Sequence, residues 1–276
     1  MSRIQRAISK NRKAATSGGK DGAVPLRRSS DLSRDSLDFS RLKTVVPDED
    51  LLASNRIIAA QADAPEHTYY KVLRTRVLQR LRASNWSVLG VTGAGPGEGK
   101  TLTALNLAYS LAKDVNHNVI LIDADLRRPS IHEILGIEPE FDLSNFLDGT
   151  AKLEEILVRP NEERLAIMTN QHPHRDSSEI LSSPEMAWLS QQLKGFGPKT
   201  ITIIDLPPVL AGDDVIAISP LLDALLLVVG QGTCRRDALA ETHELLHDSN
   251  GPHVLGVILN RAREKKLKSS YYDYYA

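Results

Sequence analysis

The sequence predicts an α/β fold in which helices cover both faces of a doubly wound, mostly parallel sheet. Six apolar runs of strand length recur between Val88 and Leu259, and segments with helical spacing separate most of them. A run that is apolar throughout is typical of a strand buried on both faces, as the strands of a parallel sheet are. A glycine-rich turn also joins the first run to a helix, which predicts a ligand-binding loop at one edge of the sheet.

Helical spacing and capping residues set the elements between these strands. Pro129 and Pro184 stand near the expected beginnings of two helices, where the missing N–H of proline costs nothing, and Ser182 or Ser183 would cap the second. In chain order, we expect a helix over 66–82, a strand over 88–92, a helix over 100–113, a strand over 119–122, short helices over 128–135 and 153–157, a strand over 165–168, a helix over 184–193, a strand over 201–204, a strand over 225–229, a helix over 237–247 and a strand over 254–259.

The two ends of the chain differ from this pattern. Residues 1–60 are polar and aperiodic, and residues 1–43 hold eleven Lys and Arg against four Asp, although the whole chain has a formal net charge of −1. We therefore expect a basic, largely disordered arm and linker over 1–60, a folded domain over 61–262, and a basic segment with a tyrosine cluster over 263–276. The arm either binds an acidic partner or an anionic membrane surface, or is a solvated tail without a partner.

Composition excludes several classes of protein. The chain has one cysteine, Cys234, so it has no internal disulfide and suits a reducing compartment. No apolar run approaches the roughly 20 residues of a membrane span, and the beginning of the chain lacks the apolar core of a signal peptide. The basic excess comes without a recognisable reading module, so nucleic acid is not expected as a partner. These features predict a cytoplasmic protein.

The loop that follows the first strand predicts a nucleotide site. The stretch from Ser87 reads SVLGVTGAGPGEGKT, and its glycines allow successive N–H groups to turn inward toward phosphate oxygens at the beginning of a helix. Lys100 would reach the β- and γ-phosphates, and the Thr101 hydroxyl would bind Mg²⁺. The strict pattern asks for glycine where this chain has Ala94. The residues expected to hold the nucleotide here are Gly95, Pro96, Gly97, Glu98, Gly99, Lys100, Thr101 and Leu102.

Carboxylates follow two other strands, at the same predicted edge of the sheet. Asp205 ends an apolar strand, as a metal-binding carboxylate of such a site should, and Asp123 and Asp125 end another. Two carboxylates aimed at one place repel each other unless a cation lies between them, and Mg²⁺ would be that cation. One of the pair could instead accept a proton from an attacking hydroxyl, cap the next segment, or pair with Arg127 or Arg128.

Less specific signals surround these groups. Arg127 and Arg128 would either stabilise phosphoryl charge or form an exposed basic pair. Asn260 and Arg261 end the last strand, and from this topology alone we expect them to contact the adenine base.

A tyrosine cluster stands at the end of the chain. Four of the seven tyrosines, Tyr271, Tyr272, Tyr274 and Tyr275, lie within the last six residues, after a basic run. Aromatic residues at an untethered terminus bury little, so core packing does not account for them. They are expected to be phosphorylated, which would add about −1.5 to −2 charges each. The alternative is a docking peptide that uses the unmodified rings.

Four of these segments together resemble the bacterial tyrosine autokinases, or BY-kinases. The segments are GPGEGKT at 95–101, VILIDADLRRP at 119–129, IIDLPPVL at 203–210 and the terminal SSYYDYY. The resemblance runs from about Thr68 to the last residue and implies a P-loop NTPase fold, shared with the septum-positioning and plasmid-partition ATPases. It implies a tyrosine kinase domain over 61–262 that uses ATP and Mg²⁺. Lys100, Asp123, Asp125 and Asp205 would be its catalytic residues, with Thr101, Asp123 and Asp205 at the metal.

The resemblance also implies a biological setting. Members of the family phosphorylate their own tail tyrosines in trans within a ring of protomers, and a phosphatase reverses this phosphorylation. They control polymerisation and export of capsular or exopolysaccharide. They depend on a transmembrane activator, so we expect a separate membrane partner, a cognate tyrosine phosphatase, self-association as a ring or dimer, and a place at the inner face of the cell membrane.

Two departures from the family pattern bear on these expectations. The ring-forming helix of the family carries Glu-x-x-Arg-x-x-Arg, but this chain has Thr68 and Lys71 at the first two positions and matches only at Arg74. The partition ATPases carry a signature lysine where this chain has Gly95. The alternative function is an ATP-switched positioning ATPase or a nucleotide-binding scaffold at a membrane complex, without kinase activity.

Overall fold

The computed structural model describes residues 37–61, 67–248 and 252–262. Predictions for residues 1–36 and for the four tail tyrosines therefore lie outside the described residues. Within the described part, the strands are β1 (Lys43–Thr44), β2 (Val88–Gly93), β3 (Asn118–Asp123), β4 (Leu157–Arg159), β5 (Leu165–Met168), β6 (Thr200–Asp205), β7 (Ala224–Gly230) and β8 (His253–Asn260). The α-helices there are α1 (Glu49–Ser54), α2 (His67–Ser84), α3 (Lys100–Ala112), α4 (Ile131–Leu135), α5 (Leu143–Leu147), α6 (Leu153–Ile156), α7 (Ser177–Leu181), α8 (Pro184–Gly195), α9 (Asp214–Ile218) and α10 (Arg236–Asp248).

One mostly parallel sheet organises the described residues. Its strand order is β1-β4-β5-β3-β6-β2-β7-β8, and every neighbouring pair is parallel except β4 with β5. The strand carrying the glycine-rich turn, β2, lies between β6 and β7. The carboxyl ends of β2, β3 and β6 therefore meet at one edge of the sheet, where such folds bind ligands. The predicted fold class is confirmed.

Two hydrophobic cores lie on the two faces of the sheet, because successive side chains of a strand point to opposite faces. In β3, Val119 and Leu121 belong to the core beneath α2 and α3, whereas Ile120 and Ile122 belong to the core beneath α8 and α9. All four are fully buried. This double burial is the physical reason that the strands read as continuous apolar runs.

The expected disordered arm over 1–60 is wrong for residues 37–60, which are part of the fold. Leu37, Phe39 and Leu42 are buried in one core, and Leu52 and Ile57 in the other. The strand β1 adds to the sheet beside β4, a pairing that the sequence analysis did not anticipate. These apolar residues are irregularly spaced and divide between two cores, so they form no sustained period in the sequence.

The predicted strands agree with the structure to within one or two residues at each end, and most helices agree nearly as well. The exception is the short helix expected from residue 128, which begins at Ile131 because the segment before it folds back onto Asp123. The sequence analysis missed β1, β4, α1, α5, α7 and α9, all of which have six residues or fewer. Within the three described ranges, no helix combines the length and the apolar character needed to cross a bilayer.

Candidate functional site: the phosphate loop and its carboxylates

The glycine-rich turn forms a compact loop between β2 and α3. Gly97 and Gly99 have φ values of 73° and 91°, a left-handed conformation that side chains with a Cβ rarely adopt, and Gly99 is the residue before α3. A backbone of this kind allows N–H groups to turn toward a ligand at the beginning of the helix, where the helix dipole favours an anion. Lys100, the first residue of α3, is buried, while Pro96 and Gly97 form the exposed tip of the loop.

The side chain of Glu98 braces the base of this loop from inside. Its two carboxylate oxygens accept hydrogen bonds from the backbone N–H groups of Ala94, at 3.1 Å, and Gly95, at 3.3 Å. Glu98 is 2% exposed, and a Cβ at Gly93 would lie 2.7 Å from its Oε2. Ala94, which departs from the strict pattern, is fully buried, so its methyl group is accommodated. The predicted nucleotide-binding Glu98 thus holds the loop together.

Asn260 closes the loop from the end of β8. Its side-chain amide donates to the backbone oxygen of Glu98 at 2.9 Å, and it lies so close to Gly99 that a Cβ there would meet the amide nitrogen at 2.1 Å. Arg261 is exposed, with a φ of 56°, and its N–H donates to the Asn260 side chain. The expected contact of these two residues with adenine stays a prediction; Asn260 lies against the phosphate loop.

Three carboxylates meet beside the loop. Asp123 and Asp205 are paired neighbours in the register of β3 and β6, and Asp205 is also paired with Val91 of β2. Both are buried, and three of their oxygens, Asp123 Oδ1 and both carboxylate oxygens of Asp205, have no hydrogen-bond partner among the described residues. Asp125 follows the end of β3 and is partly buried. The structure thus brings together the carboxylates that the sequence placed at one edge.

Burial sets the protonation of these groups. It raises the pKa of Asp205 well above its usual value, and the Asp123 carboxylate adds to the rise, whereas the Thr101 hydroxyl and Lys100 oppose it. Burial likewise raises the pKa of Asp123, against hydrogen bonds from Ile131 and Ser130. Such a site favours a bound cation, because the cation would restore the charged forms that burial penalises.

The alternatives left open for the β3 carboxylates are resolved in part. Asp123 Oδ2 accepts from the N–H groups of Ser130 and Ile131, each at 3.0 Å, so this residue does cap the segment that begins α4. Its backbone oxygen accepts from the Asn170 side chain. Asp125 accepts from the backbone N–H of Arg128 at 3.1 Å. Each aspartate keeps one oxygen outside these hydrogen bonds, so capping and a role at the site are compatible.

Arg127 pairs with acidic residues that the sequence analysis did not single out. Its Nε donates to Asp214 Oδ2 at 2.8 Å, and its Nη2 lies 3.6 Å from Asp213 Oδ1. The Asp214 side chain is 2% exposed. The Asp214 charge also contributes to raising the pKa of Asp125, behind burial as the main cause. Two acidic residues soon after Pro207-Pro208, on the loop that follows Asp205, were the available sequence signal.

The donor set fits a nucleotide with Mg²⁺. Carboxylate and hydroxyl oxygens are the ligands that Mg²⁺ prefers, and Thr101, Asp123 and Asp205 supply them, including three unpartnered buried oxygens. The left-handed glycines and the beginning of α3 supply the phosphate cradle. Leu102 lies further along α3 and packs against a core, so its backbone is what it can offer a ligand. Asn170, buried two residues after the end of β5, is a further residue of this edge that sequence reasoning missed.

Comparison with known proteins identifies the nucleotide-binding family. The model of the CobQ/CobB/MinD/ParA nucleotide binding domain matches residues 89–276. The tyrosine-protein kinase YwqD of Bacillus subtilis is 31% identical over 206 residues, which are 75% of this chain and 84% of YwqD. The succinoglycan biosynthesis transport protein ExoP of Rhizobium meliloti is 31% identical over 228 residues, 79% of this chain but only 28% of ExoP.

Solved structures agree with this family. The VpsO kinase domain superimposes with a TM-score of 0.63 at 31% identity, covering 71% of this chain and 96% of that one. The septum site-determining protein MinD of Pyrococcus horikoshii, complexed with Mg-ADP, has a TM-score of 0.51 at 20% identity and covers 65% and 72%, which shows a shared fold. The chain therefore belongs to the CobQ/CobB/MinD/ParA family of nucleotide-binding domains and, within it, to the bacterial tyrosine kinases.

Proposed function

We propose that this protein is an ATP- and Mg²⁺-dependent tyrosine autokinase that phosphorylates Tyr271, Tyr272, Tyr274 and Tyr275 in trans and so regulates exopolysaccharide or capsule export. The observation that carries the proposal is the phosphate loop beside two buried carboxylates, Asp123 and Asp205, three of whose four oxygens lack a hydrogen-bond partner among the described residues, in a chain of the tyrosine kinase family. In the reaction, the tyrosine oxygen forms a bond to the γ-phosphorus while the bond to the ADP oxygen breaks, and the tyrosine proton passes to a base.

Each group of the site has a role in this reaction. The loop backbone and Lys100 bind the phosphates, and Thr101, Asp123 and Asp205 would hold Mg²⁺. When bound, Mg²⁺ supplies charge neutralisation at the phosphate oxygens. Asp205 ends β6, which lies between β3 and β2 in the sheet, so its carboxylate neighbours both Asp123 and the strand that leads into the phosphate loop.

We assign the proton acceptor to Asp125. Asp123 is fully buried and uses one oxygen to cap α4, whereas Asp125 is partly exposed and so can be reached by a tyrosine from outside the domain. Burial raises the pKa of Asp125, which makes it a stronger base than a surface aspartate.

The partners proposed for this protein are a separate transmembrane activator and a cognate phosphatase. ExoP is named as a polysaccharide transport protein, and this chain matches 28% of it, which supports a membrane protein as the partner of the matched domain. The proposed location is cytoplasmic, at the inner face of the cell membrane, with the basic residues of 1–43 as the group that would bind anionic lipid.

Intact-mass spectrometry tests the function. We expect a ladder of phosphate masses on the wild-type protein after incubation with ATP and Mg²⁺, confined to the C-terminal peptide and removed by phosphatase. The Lys100→Met variant should show none, because a loop without its lysine loses a phosphate contact. A protein with all four tail tyrosines changed to Phe that still gains phosphate would contradict the assignment of the tail.

Measurement of ATP hydrolysis by the wild-type protein distinguishes the kinase from the alternative function, a positioning ATPase. A positioning ATPase would hydrolyse ATP in the presence of Mg²⁺ without any phosphotyrosine, even when the cytoplasmic segment of the activator is added. That result would overturn the kinase proposal and leave the nucleotide site intact.

A further inference from the structure

The loop that follows β6 brings a buried acidic residue to the edge of the nucleotide site. Asp214 is the first residue of α9, and its side chain is 2% exposed. Its Oδ2 accepts from Arg127 Nε at 2.8 Å, while its Oδ1 is buried without a hydrogen-bond partner among the described residues. A buried carboxylate is costly unless it is paired, so Asp214 holds the guanidinium group of Arg127.

This pairing fixes which part of Arg127 remains available. The guanidinium group carries five N–H donors in a rigid plane. Nε is used by Asp214, and Nη2 lies 3.6 Å from the exposed Asp213, so the donors of Nη1 are left without a contact to this acidic pair. The Arg127 side chain is 39% exposed, which leaves these donors open to a ligand.

The position of the pair relates it to the carboxylate cluster. Arg127 lies two residues after Asp125, and the loop that leads to Asp214 contacts the phosphate loop, because the N–H of Leu210 donates to the backbone oxygen of Ala94 at 3.3 Å. At Gly212, a Cβ would lie 3.0 Å from Arg127 Nη2 and 3.0 Å from Asp214 Oδ2, so the absence of a side chain there permits the close approach. The backbone of Gly212 is extended, so the glycine is needed for space.

We propose that Asp214 is a positioning residue, which aims the free N–H groups of Arg127 at the phosphoryl group during its transfer. A planar guanidinium matches phosphoryl oxygens well, and orientation in advance avoids the cost of ordering a long side chain during the reaction. Asp214 itself touches no substrate and acts through Arg127. This inference rests on the proposed function, because it needs a phosphoryl group to be transferred.

The test compares Asp214→Asn with Asp213→Asn, the same change one residue earlier at a side chain that is 71% exposed. We expect Asp214→Asn to lower kcat by about tenfold or more while the Kd for Mg-ATP changes by less than about twofold. Asp213→Asn should leave both quantities within about twofold of wild type, because its contact is long and solvated. Binding of ADP with aluminium fluoride should weaken in parallel with kcat in the Asp214→Asn protein.

A double-variant cycle separates positioning from a structural role. If Asp214 acts through Arg127, the Asp214→Asn/Arg127→Lys protein should have about the kcat of Arg127→Lys alone. Multiplicative losses, or a loss of ATP binding in proportion to kcat, would overturn the proposal, as would a wild-type kcat in Asp214→Asn.

A second variant covers the case in which Asp214→Asn fails to fold. The added methyl group of Gly212→Ala would crowd the Arg127–Asp214 pair without removing a charge, so it should lower kcat with ATP binding retained. The control is Gly195→Ala, because nothing lies within 4 Å of a Cβ at that position. All rates are measured both as phosphotyrosine and as ADP release. Should the wild type release ADP without forming phosphotyrosine, the proposed function fails, and the effect of Asp214 is then read on ADP release, where an unchanged rate would overturn this inference too.

Discussion

At the residue scale, a carboxylate of the phosphate loop changes the acidity of the Cys234 thiol. Cys234, on the loop after β7, is partly buried, and burial together with the nearby Glu98 carboxylate raises the pKa of its thiol to about 11. The same carboxylate braces the loop through Ala94 and Gly95. The acidity of the only cysteine of the chain therefore depends on the carboxylate that braces the phosphate loop.

We predict slow alkylation of Cys234. A pKa of about 11 in place of the ordinary 9.0 lowers the thiolate fraction at pH 8 by about 100-fold, and the thiolate is the reactive form. The rate with iodoacetamide, read as a mass shift, should be correspondingly low in the native protein and should recover in urea. Glu98→Gln should raise the native rate by removing the negative charge, and equal native rates in the two proteins would contradict the assigned cause.

The residues of the site were predictable from the sequence to different degrees. Lys100, Asp123 and Asp205 were found because each follows an apolar strand in a recognisable pattern. Asp214 was missed because its role depends on a contact with Arg127, 87 residues earlier in the chain, that no local pattern encodes. For Asn260, the end of a predicted strand indicated the position at the edge but not the partner, since only the folded loop brings Glu98 to it.

At the scale of elements, a tie between α3 and the segment before α2 holds the first folded residues in place. Asn106 of α3 is fully buried, accepts from the N–H of Ala59 at 2.9 Å, and donates to the oxygens of Arg56, at 3.0 Å, and Leu102. The bonds to Ala59 and Arg56 join positions that are 47 and 50 residues apart in the chain. They therefore hold residues 56–59 against the helix that begins at the phosphate loop.

We predict that Asn106→Ala lowers the free energy of unfolding by about 2 kcal/mol, because it leaves a backbone N–H and a backbone oxygen unpaired near the core. Urea unfolding followed by circular dichroism measures this. Asn116→Ala, at an exposed position in a turn, should change stability by less than about 0.5 kcal/mol. An equal effect of the two substitutions would mean that the tie contributes little.

The elements that the sequence analysis missed share one physical cause. β1, β4 and the short helices have too few residues to establish a period, and their stability comes from the core that they cover. The longer strands and helices were predictable because burial on both faces of a sheet, or on one stripe of a helix, repeats often enough to be recognised.

At the scale of the whole molecule, the last strand ends at the edge of the sheet that holds the phosphate loop. β8 ends at Asn260 against the phosphate loop, and Tyr271 follows Arg261 by ten residues, an extended length of about 35 Å. Reach alone therefore permits a chain to phosphorylate itself. The expectation of transfer between chains comes from the resemblance to the family. Of the ring motif of that family, this chain keeps only Arg74, and the Arg74 side chain donates to the backbone oxygen of Ser110 within the same chain.

We predict transfer between chains. A Lys100→Met protein with its tyrosines intact, mixed with an active protein whose four tail tyrosines are Phe, should gain phosphate at a rate that rises with the concentration of the active protein. Phosphorylation of the wild type at a rate per molecule that is independent of concentration, with none on the Lys100→Met chain, would establish transfer within one chain instead.

Because the central strands are parallel, the site lies at their carboxyl ends, and the turns that lead into the strands lie at the opposite, amino ends. The turn between α3 and β3 contains Val115, which is 75% exposed, and lies the length of β3, about 20 Å, from the carboxylates. Insertion of a fluorescent domain after Val115 would place a label about the length of a strand away from the nucleotide site. The protein could then be followed in living cells with its termini free and its reaction undisturbed.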